Sequence, residues 1–164
     1  MFLQLLSKPN TLLVEQAIWG LGNIAGDNIE TRDLMLLSNT MSFFVALYEQ
    51  VKVLNVKMRD QIIWAASNLC RMKPSPDLDK ILEGFSMFAE TISSTKDVTV
   101  QIDCAWSLST MCKKKTAMKF YEMDLLPVLV DLLHADDIIL LQLVAKMIGT
   151  LTSGGPEICE VIFS

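Results

Sequence analysis

A tryptophan-centred motif returns along this chain at nearly constant intervals. Its copies read EQAIWGLGN, DQIIWAASN, IDCAWSLST and QLVAKMIGT, at residues 15–23, 60–68, 102–110 and 142–150. The central position is Trp19, Trp64 and Trp106 in the first three copies, at intervals of 45 and 42 residues, and Lys146 in the fourth, 40 residues later. Periods of about 40–47 residues indicate helical repeats that bury each other's apolar faces.

The segments between the motifs have helical periodicity. The predicted helices there are Glu30–Leu37, Ser42–Leu54, Asp79–Leu82, Phe85–Ile92, Ala117–Met123 and Leu125–Leu133. Turn-forming residues such as Pro74 and Pro76 separate them, and no alternating strand pattern is present. Each repeat therefore has three helices, of which the first is short, the second medium and the third long, as in an armadillo or HEAT α-solenoid.

The composition limits the classes of function. The chain has 164 residues, of which 51% are apolar and 20% charged, with a net charge of −5. This size and apolar content suit one domain with a real core and exclude a disordered chain. The negative charge argues against nucleic acid and favours cationic partners. The chain lacks the run of about 20 apolar residues that a membrane span needs, so no membrane association is expected.

Catalytic and metal-binding patterns are missing from the sequence. Cys70, Cys104, Cys112 and Cys159 form no Cys-x-x-Cys pair, and we expect them to be buried, reduced thiols. The single histidine, His134, ends an apolar run and is expected near a helix C-terminus. We therefore predict no enzyme activity, no metal site and no cofactor.

Each long helix places a second set of residues beside its apolar stripe. The predicted core stripes are Ala17, Ile18, Leu21 and Ile24 in the first helix and Ile63, Ala66 and Leu69 in the second. The other face is formed by Gln16, Trp19, Asn23 and Gly26, then Gln61, Trp64, Asn68 and Arg71, then Asp103, Trp106, Thr110 and Lys113. A single tryptophan at helical spacing would more often belong to the core, but three in register beside polar residues favour a surface.

A stacked surface of this kind has a definite binding chemistry. An asparagine amide carries both a donor and an acceptor, so Asn23 and Asn68 could hold an extended peptide by its backbone. Slots between indoles suit lysine or arginine stems, with about 0.5–2 kcal/mol of cation–π attraction per contact. The carboxylates of Asp27 and Asp103 are expected at the slot ends, where they would meet ammonium groups.

The quoted motifs resemble a known family. The run from Glu15 through Trp19 and Asn23 to Asp27 is similar to an armadillo repeat of importin-α (karyopherin-α), the adaptor for nuclear localisation signals. The segments that start at Trp64 and Asp103 resemble the two repeats that follow. The resemblance covers nearly the whole chain. It implies an all-α, right-handed armadillo superhelix of about three and a half repeats from the central part of the family's array.

The resemblance also implies boundaries and roles. We expect a single domain over 1–164, with a partial repeat at 1–27, repeats at about 28–73, 74–114 and 115–154, and the start of another at 155–164. The signal-binding groove would contain Trp19, Asn23, Asp27, Trp64, Asn68 and Trp106, with accessory positions at Gln16, Gly26, Gln61 and Asp103. Arg71 and Asp103 would form an ion pair between repeats, and Lys146 matches a family arginine.

Several residues depart from the family pattern. Thr110 replaces an aromatic residue, Gln61 an asparagine, Lys113 an acid, and Thr150 an asparagine. Lys113 opens the run Lys113–Lys115, which we expect at a helix C-terminus. A further interpretation is that this basic run repels cargo or occupies a groove.

Two functions remain open from the sequence. The first is a nuclear import adaptor, in cytoplasm and nucleus, that binds basic cargo signals. Binding of importin-β is not expected, because no Arg-rich N-terminal segment is present. The alternative is an armadillo interaction scaffold or fragment without import activity. Neither end has an evident polar cap, and we expect such ends to favour self-association.

Overall fold

All regular secondary structure in residues 10–153, the part of the chain that the computed structural model describes, is helical. The helices are α1 Thr11–Asp27, α2 Ile29–Leu37, α3 Thr40–Val51, α4 Val56–Leu69, α5 Leu78–Ile81, α6 Phe85–Ser94, α7 Val98–Met111, α8 Ala117–Glu122, α9 Leu125–Leu132 and α10 Ile138–Thr152, with 3-10 turns at Leu82–Gly84 and Lys114–Thr116. The long helices α1, α4, α7 and α10 contain the four motif copies.

Each long helix begins at an asparagine or aspartate cap. The capping oxygens belong to Asn10, Asn55, Asp97 and Asp137, which accept hydrogen bonds from backbone N–H groups in the first turn at 2.9–3.3 Å. A side-chain acceptor here satisfies N–H groups that have no partner inside the helix. Each cap lies nine residues before Trp19, Trp64, Trp106 or Lys146. The period of the motif is therefore also the period of helix initiation.

The chain divides into two compact units, at residues 1–87 and 88–164. In the first unit, α4 packs along α1, and α2 and α3 pack on α4. Its core includes the fully buried side chains of Ile18, Phe44, Ile62 and Ile63. The short helix α2, the medium helix α3 and the long helix α4 follow one another in the predicted order. The long helix α4 packs on α1, the long helix that precedes them.

A buried arginine connects α2 to the loop after α4. Arg32 is 1% exposed, and its Nη1 donates to the carbonyl oxygens of Arg71 (2.8 Å) and Pro74 (2.9 Å). Its Nε and Nη2 both lie 2.8 Å from Oδ1 of Asp33. The guanidinium therefore holds residues 71–74 against α2 by bonds to backbone oxygens.

In the second unit, α10 packs along α7, and α9 packs on α10. The core includes the fully buried side chains of Leu108, Phe120, Leu129 and Met147. Cys104 and Cys112 in this unit and Cys70 in the first unit are buried, as predicted, whereas Cys159 lies outside the described residues. Burial raises the pKa of the Cys112 thiol from 9.0 to about 11, although Lys113 and Lys146 favour the thiolate.

This raised pKa predicts a loss of stability at alkaline pH. Below pH 9 the Cys112 thiol is protonated in both states. Between about pH 9 and 11 the unfolded chain releases the proton and the folded chain retains it, so the free energy of unfolding is expected to fall. Urea unfolding at pH 8, 9, 10 and 10.5 should show a smaller fall for Cys112→Ala than for the unchanged chain. Equal falls in the two proteins would contradict this account.

Two details of the predicted helices are wrong. The helix predicted to reach Leu54 ends at Val51, and Leu54 is 88% exposed. Asn55 caps α4, so the residues before it form the turn into that helix. Ile24 is exposed, although the sequence predicts it in the core. It lies about 200° around α1 from Gly22, which faces α4.

The lysine run begins two residues after the end of a helix, close to its predicted position. Helix α7 ends at Met111, Lys113 has an extended backbone, and Lys114–Thr116 is a 3-10 turn. The Thr116 hydroxyl accepts from the Lys113 N–H (3.0 Å) and lies 2.6 Å from the Met111 carbonyl oxygen, to which it donates. These local bonds compete with continuation of the helix. His134 likewise follows the end of α9 at Leu132, close to its predicted position.

The repeat boundaries at about 28–73, 74–114 and 115–154 stay predictions, and the predicted segment 155–164 lies outside the described residues. That 1–164 forms a single domain stays a prediction. None of the helices described is long and apolar enough to cross a bilayer.

Candidate functional site

Helix α1 presents an open line of aromatic and polar side chains. Trp19 is 56% exposed, and Gln16, Asn23, Gly26 and Asp27 are exposed as well. Their spacing of three or four residues brings them to one side of the helix. The Asp27 carboxylate accepts from the side-chain amide of Asn28 at 2.7 Å and remains exposed to solvent.

The second tryptophan lies against this helix. Trp64 on α4 is half-buried, and its ring covers Gly22 of α1 so closely that an added Cβ there would lie 2.8 Å from Cη2 and 3.0 Å from Cε3. Gly22 follows Trp19 by three residues, so the two are neighbours on the same side of α1. The two indoles therefore belong to neighbouring parts of one surface.

The amide side chains on either side of Trp64 bond to the backbone of α1. Gln61 Nε2 donates to the carbonyl oxygen of Glu15 and Asn68 Nδ2 to that of Gly22, both at 3.0 Å. Asn68 is only 9% exposed. Asn23 on α1 is exposed and has no hydrogen bond among the described residues. The two asparagines, equivalent in the sequence pattern, thus have different environments.

The site residues of the second unit are less open. Trp106 is 38% exposed, and the Thr110 hydroxyl donates to the Trp106 carbonyl oxygen at 3.1 Å. Asp103 is buried, unlike the available carboxylate expected from the sequence. Its ion pair with Arg71 stays a prediction.

The fourth motif copy repeats the threonine arrangement. Lys146 is exposed, and the Thr150 hydroxyl donates to the Lys146 carbonyl oxygen at 2.9 Å. A threonine at this position therefore uses its only proton within its own helix.

The motif contains a second periodic feature, which was not among the predicted site residues. The residue three positions after the tryptophan or its lysine equivalent is always small: Gly22, Ser67, Ser109 and Gly149. At Gly22 the reason is the Trp64 ring that lies on it, whereas a Cβ at Gly149 would meet nothing within 4 Å. The small residue and the aromatic residue 42 positions later thus form one packing pair in the first unit.

The chemistry of this surface suits non-covalent binding. Indole faces, amide groups and the Asp27 carboxylate can bind apolar stems, backbone amides and cations. No group of three or more His, Cys, Asp or Glu residues that could hold a metal ion occurs within residues 10–153.

Comparisons with known proteins agree with these features. Importin subunit alpha-1b of rice (Oryza sativa subsp. japonica) is 32% identical over 159 residues, which is 93% of this chain and 28% of that protein. Importin subunits alpha-5 and alpha-2 of Arabidopsis thaliana are 34% and 37% identical over 77% and 66% of the chain, and over 24% and 20% of their own lengths. The chain thus spans about a quarter of the length of these curated relatives. No protein-family model matches it.

Solved structures identify the fold. A computationally designed armadillo-repeat protein for modular peptide recognition superposes with a TM-score of 0.82 at 15% identity, over 99% of this chain and 68% of the other. A designed armadillo-repeat protein in complex with the peptide (KR)4 gives 0.78 at 18% identity, over 99% and 67%. The predicted armadillo-repeat α-solenoid is therefore confirmed. The chain is a divergent relative of the importin α subunits and has an armadillo-repeat fold.

Proposed function

We propose that this chain is a peptide-binding module that recognises extended Lys/Arg-rich segments, including nuclear localisation signals, on the face formed by α1 and α4. The observation that carries the proposal is the exposed line of Trp19, Asn23 and Asp27 on α1, beside the indole of Trp64. Apolar side chains that lie together on a surface beside polar groups are typical of an interaction site.

Each group in this line has a separate role. The Asn23 amide pairs with a peptide N–H and C=O, which positions the backbone whatever its side chains are. The lysine stems lie on the indoles of Trp19 and Trp64, and the Asp27 carboxylate bonds an ammonium group at the end of the slot. Gln16, Gly26 and Gln61 are the accessory positions on this face, and the binding roles of Trp106 and the buried Asp103 in the second unit stay predictions.

The cellular role follows from the relatives rather than from the geometry. Proteins named as importin α subunits share 32–37% identity with the chain. We therefore propose cargo proteins with basic signals as partners, and cytoplasm and nucleus as the locations.

An armadillo scaffold without import activity is the second candidate. It is favoured by Thr150, whose hydroxyl group donates to its own helix where a backbone-binding amide would be needed, and by Thr110, which replaces an aromatic residue and also donates to its own helix. The exposed amines of Lys113 and Lys146 would also repel a basic ligand. The binding of a partner to such a scaffold would not require Trp19 or Asn23.

The variant Trp19→Ala combined with Asn23→Ala tests the first proposal. Fluorescence anisotropy of a labelled Lys-Lys-Lys-Arg-Lys peptide at about 0.15 M salt would measure the Kd. We expect the double change to raise the Kd about 30-fold, or roughly 2 kcal/mol, because one indole contact and one or two hydrogen bonds are lost. Both side chains are exposed, so the thermal unfolding midpoint should stay unchanged.

Leu37→Ala combined with Phe43→Ala is the matched control, because these residues are also exposed but lie on α2 and α3. The Kd should not change in this variant. A second peptide, with the same five basic residues separated by glycines, tests whether positive charge alone is sufficient for binding. Equal Kd values for the two double variants, or for the two peptides, would refute binding on this face and leave the scaffold.

A further inference from the structure

Two lysines lie at the motif positions of the second unit. Lys146 takes the place of the tryptophan on α10, and Lys113 follows the end of α7. Both side chains are exposed, and neither forms an ion pair within residues 10–153. Helix α10 contains no aspartate or glutamate, whereas α1 contains no lysine or arginine and ends at the exposed Asp27. These two motif helices therefore present opposite charges.

A sulfur contact between α7 and α10 determines where the two lysines lie. The Cys112 thiol donates to the carbonyl oxygen of Met147 at 3.8 Å. Lys113 is the residue after Cys112, and Lys146 is the residue before Met147. Both ammonium groups also favour the thiolate of the same cysteine. The two cations therefore belong to one neighbourhood, at the end of α7 and the middle of α10.

The backbone that carries Lys113 is held by local hydrogen bonds. Its N–H donates to the Thr116 hydroxyl at 3.0 Å, and that hydroxyl donates to the Met111 carbonyl oxygen at 2.6 Å. The turn between them adds the exposed side chain of Lys114. The positive charge beside α10 thus comes from a backbone with a defined conformation.

The charge of this surface selects the charge of a ligand. The acidic residue of α7, Asp103, is buried, so it offers no exposed carboxylate beside the lysines. Two exposed cations repel a basic ligand, and a carboxylate near them is attracted to both. Screening limits such attraction to about 8 Å at physiological salt, so the local lysines matter more here than the net charge of −5.

We propose that the surface around Lys113 and Lys146 binds an acidic segment of a partner protein, whose Asp and Glu carboxylates bond to the two ammonium groups. Trp106 is 38% exposed and lies on α7 within two turns of Lys113, so its indole can cover the apolar stem of a glutamate. A peptide uses both the charges and the indole, whereas the net charge of the chain opposes a long polyanion such as nucleic acid. This surface goes beyond the one proposed on α1 and α4 and does not depend on it.

A labelled Glu-Asp-Glu-Asp-Glu peptide tests the proposal by fluorescence anisotropy with the full chain at about 0.05 M and 0.15 M salt. We expect saturable binding that weakens as the salt concentration rises. Lys113→Glu combined with Lys146→Glu should raise the Kd about 10-fold or more, because two attractive contacts become repulsive. Lys113→Arg combined with Lys146→Arg should keep the Kd within about 2-fold, since both charges remain. The thermal unfolding midpoint should stay unchanged in both variants, because the side chains are exposed.

Lys96→Glu combined with Lys119→Glu is the matched control. It changes the net charge by the same amount at exposed lysines outside α7 and α10, and the Kd should not change. Carbodiimide coupling of the bound peptide should join its carboxylates to the amines of Lys113 and Lys146, as identified by mass spectrometry.

Four results would overturn the proposal: no binding by the folded chain, equal Kd values for the two glutamate variants, coupling only at other lysines, or equal competition by an oligothymidylate of the same charge. The last result would indicate a general anion site instead of one for acidic peptides. The Kd of Lys-Lys-Lys-Arg-Lys is a separate readout, so the surface on α1 and α4 is tested independently.

Discussion

Replacement of Arg32 by alanine is expected to lower the free energy of unfolding by about 3 kcal/mol or more. The guanidinium is buried and donates to the carbonyl oxygens of Arg71 and Pro74. Its loss leaves these oxygens without their side-chain donor and opens a cavity that alanine cannot fill. Breaking a buried charged network typically costs about 3–5 kcal/mol. Urea unfolding followed by circular dichroism would measure the change.

Arg59→Ala is the matched control. Arg59 also pairs with the aspartate that follows it, with its Nε 2.8 Å from Oδ1 of Asp60. Its side chain is only partly buried, and such local pairs contribute about 1 kcal/mol or less. We therefore expect a small effect at Arg59 and a large one at Arg32. Similar losses in the two variants would show that the bonds from Arg32 to residues 71–74 do not stabilise the first unit.

The same glycine-to-alanine change should have opposite effects at two sites. An alanine Cβ at Gly22 would overlap the Trp64 ring, whereas at Gly149 it would meet nothing within 4 Å. Gly149→Ala should stabilise the chain by about 0.8–1 kcal/mol through helix propensity. Gly22→Ala gains the same term but must displace Trp64, at a cost of about 1–3 kcal/mol. The two variants should differ by roughly 2 kcal/mol in the free energy of unfolding.

Trp64 provides the test of this mechanism. Gly22→Ala should shift the tryptophan emission, because the ring must leave its place on α1. In the Trp64→Ala background, Gly22→Ala should lose its destabilising effect, since the overlap is gone. If Gly22→Ala were as destabilising in that background as in the unchanged chain, the ring contact would not be the cause.

Much of the fold could be predicted from local sequence. The period of the tryptophan motif predicted the long helices, and apolar spacing predicted the helices between them. The capping residues Asn10, Asn55, Asp97 and Asp137 follow the same period, because each long helix needs a side-chain acceptor at its start. The error at Leu54 lies at a helix end, where caps and local side-chain bonds decide the boundary.

The candidate site could be predicted only as a set of positions. The motif placed Trp19, Asn23, Trp64 and Asn68 at equivalent points of two helices, and a helix period alone gives equivalent residues the same role. Their environments differ in the structure because α4 packs on α1, which gives Asn68 a backbone acceptor at Gly22. For Asn23 there is no such acceptor among the described residues. Equivalence in sequence is therefore not equivalence in hydrogen bonding.

The sequence by itself determined the helical period, the order of short and long helices and the identity of the side chains at each repeated position, because these depend on contacts between near neighbours in the chain. The tertiary structure decided which side-chain amides bond to a neighbouring helix, why residue 22 must be glycine and why Arg32 is buried. Each of these depends on a partner 39 to 46 residues away, which is the Trp64 ring for Gly22 and a backbone carbonyl for the others. Helix periodicity carries no information about such a partner until the helices pack together.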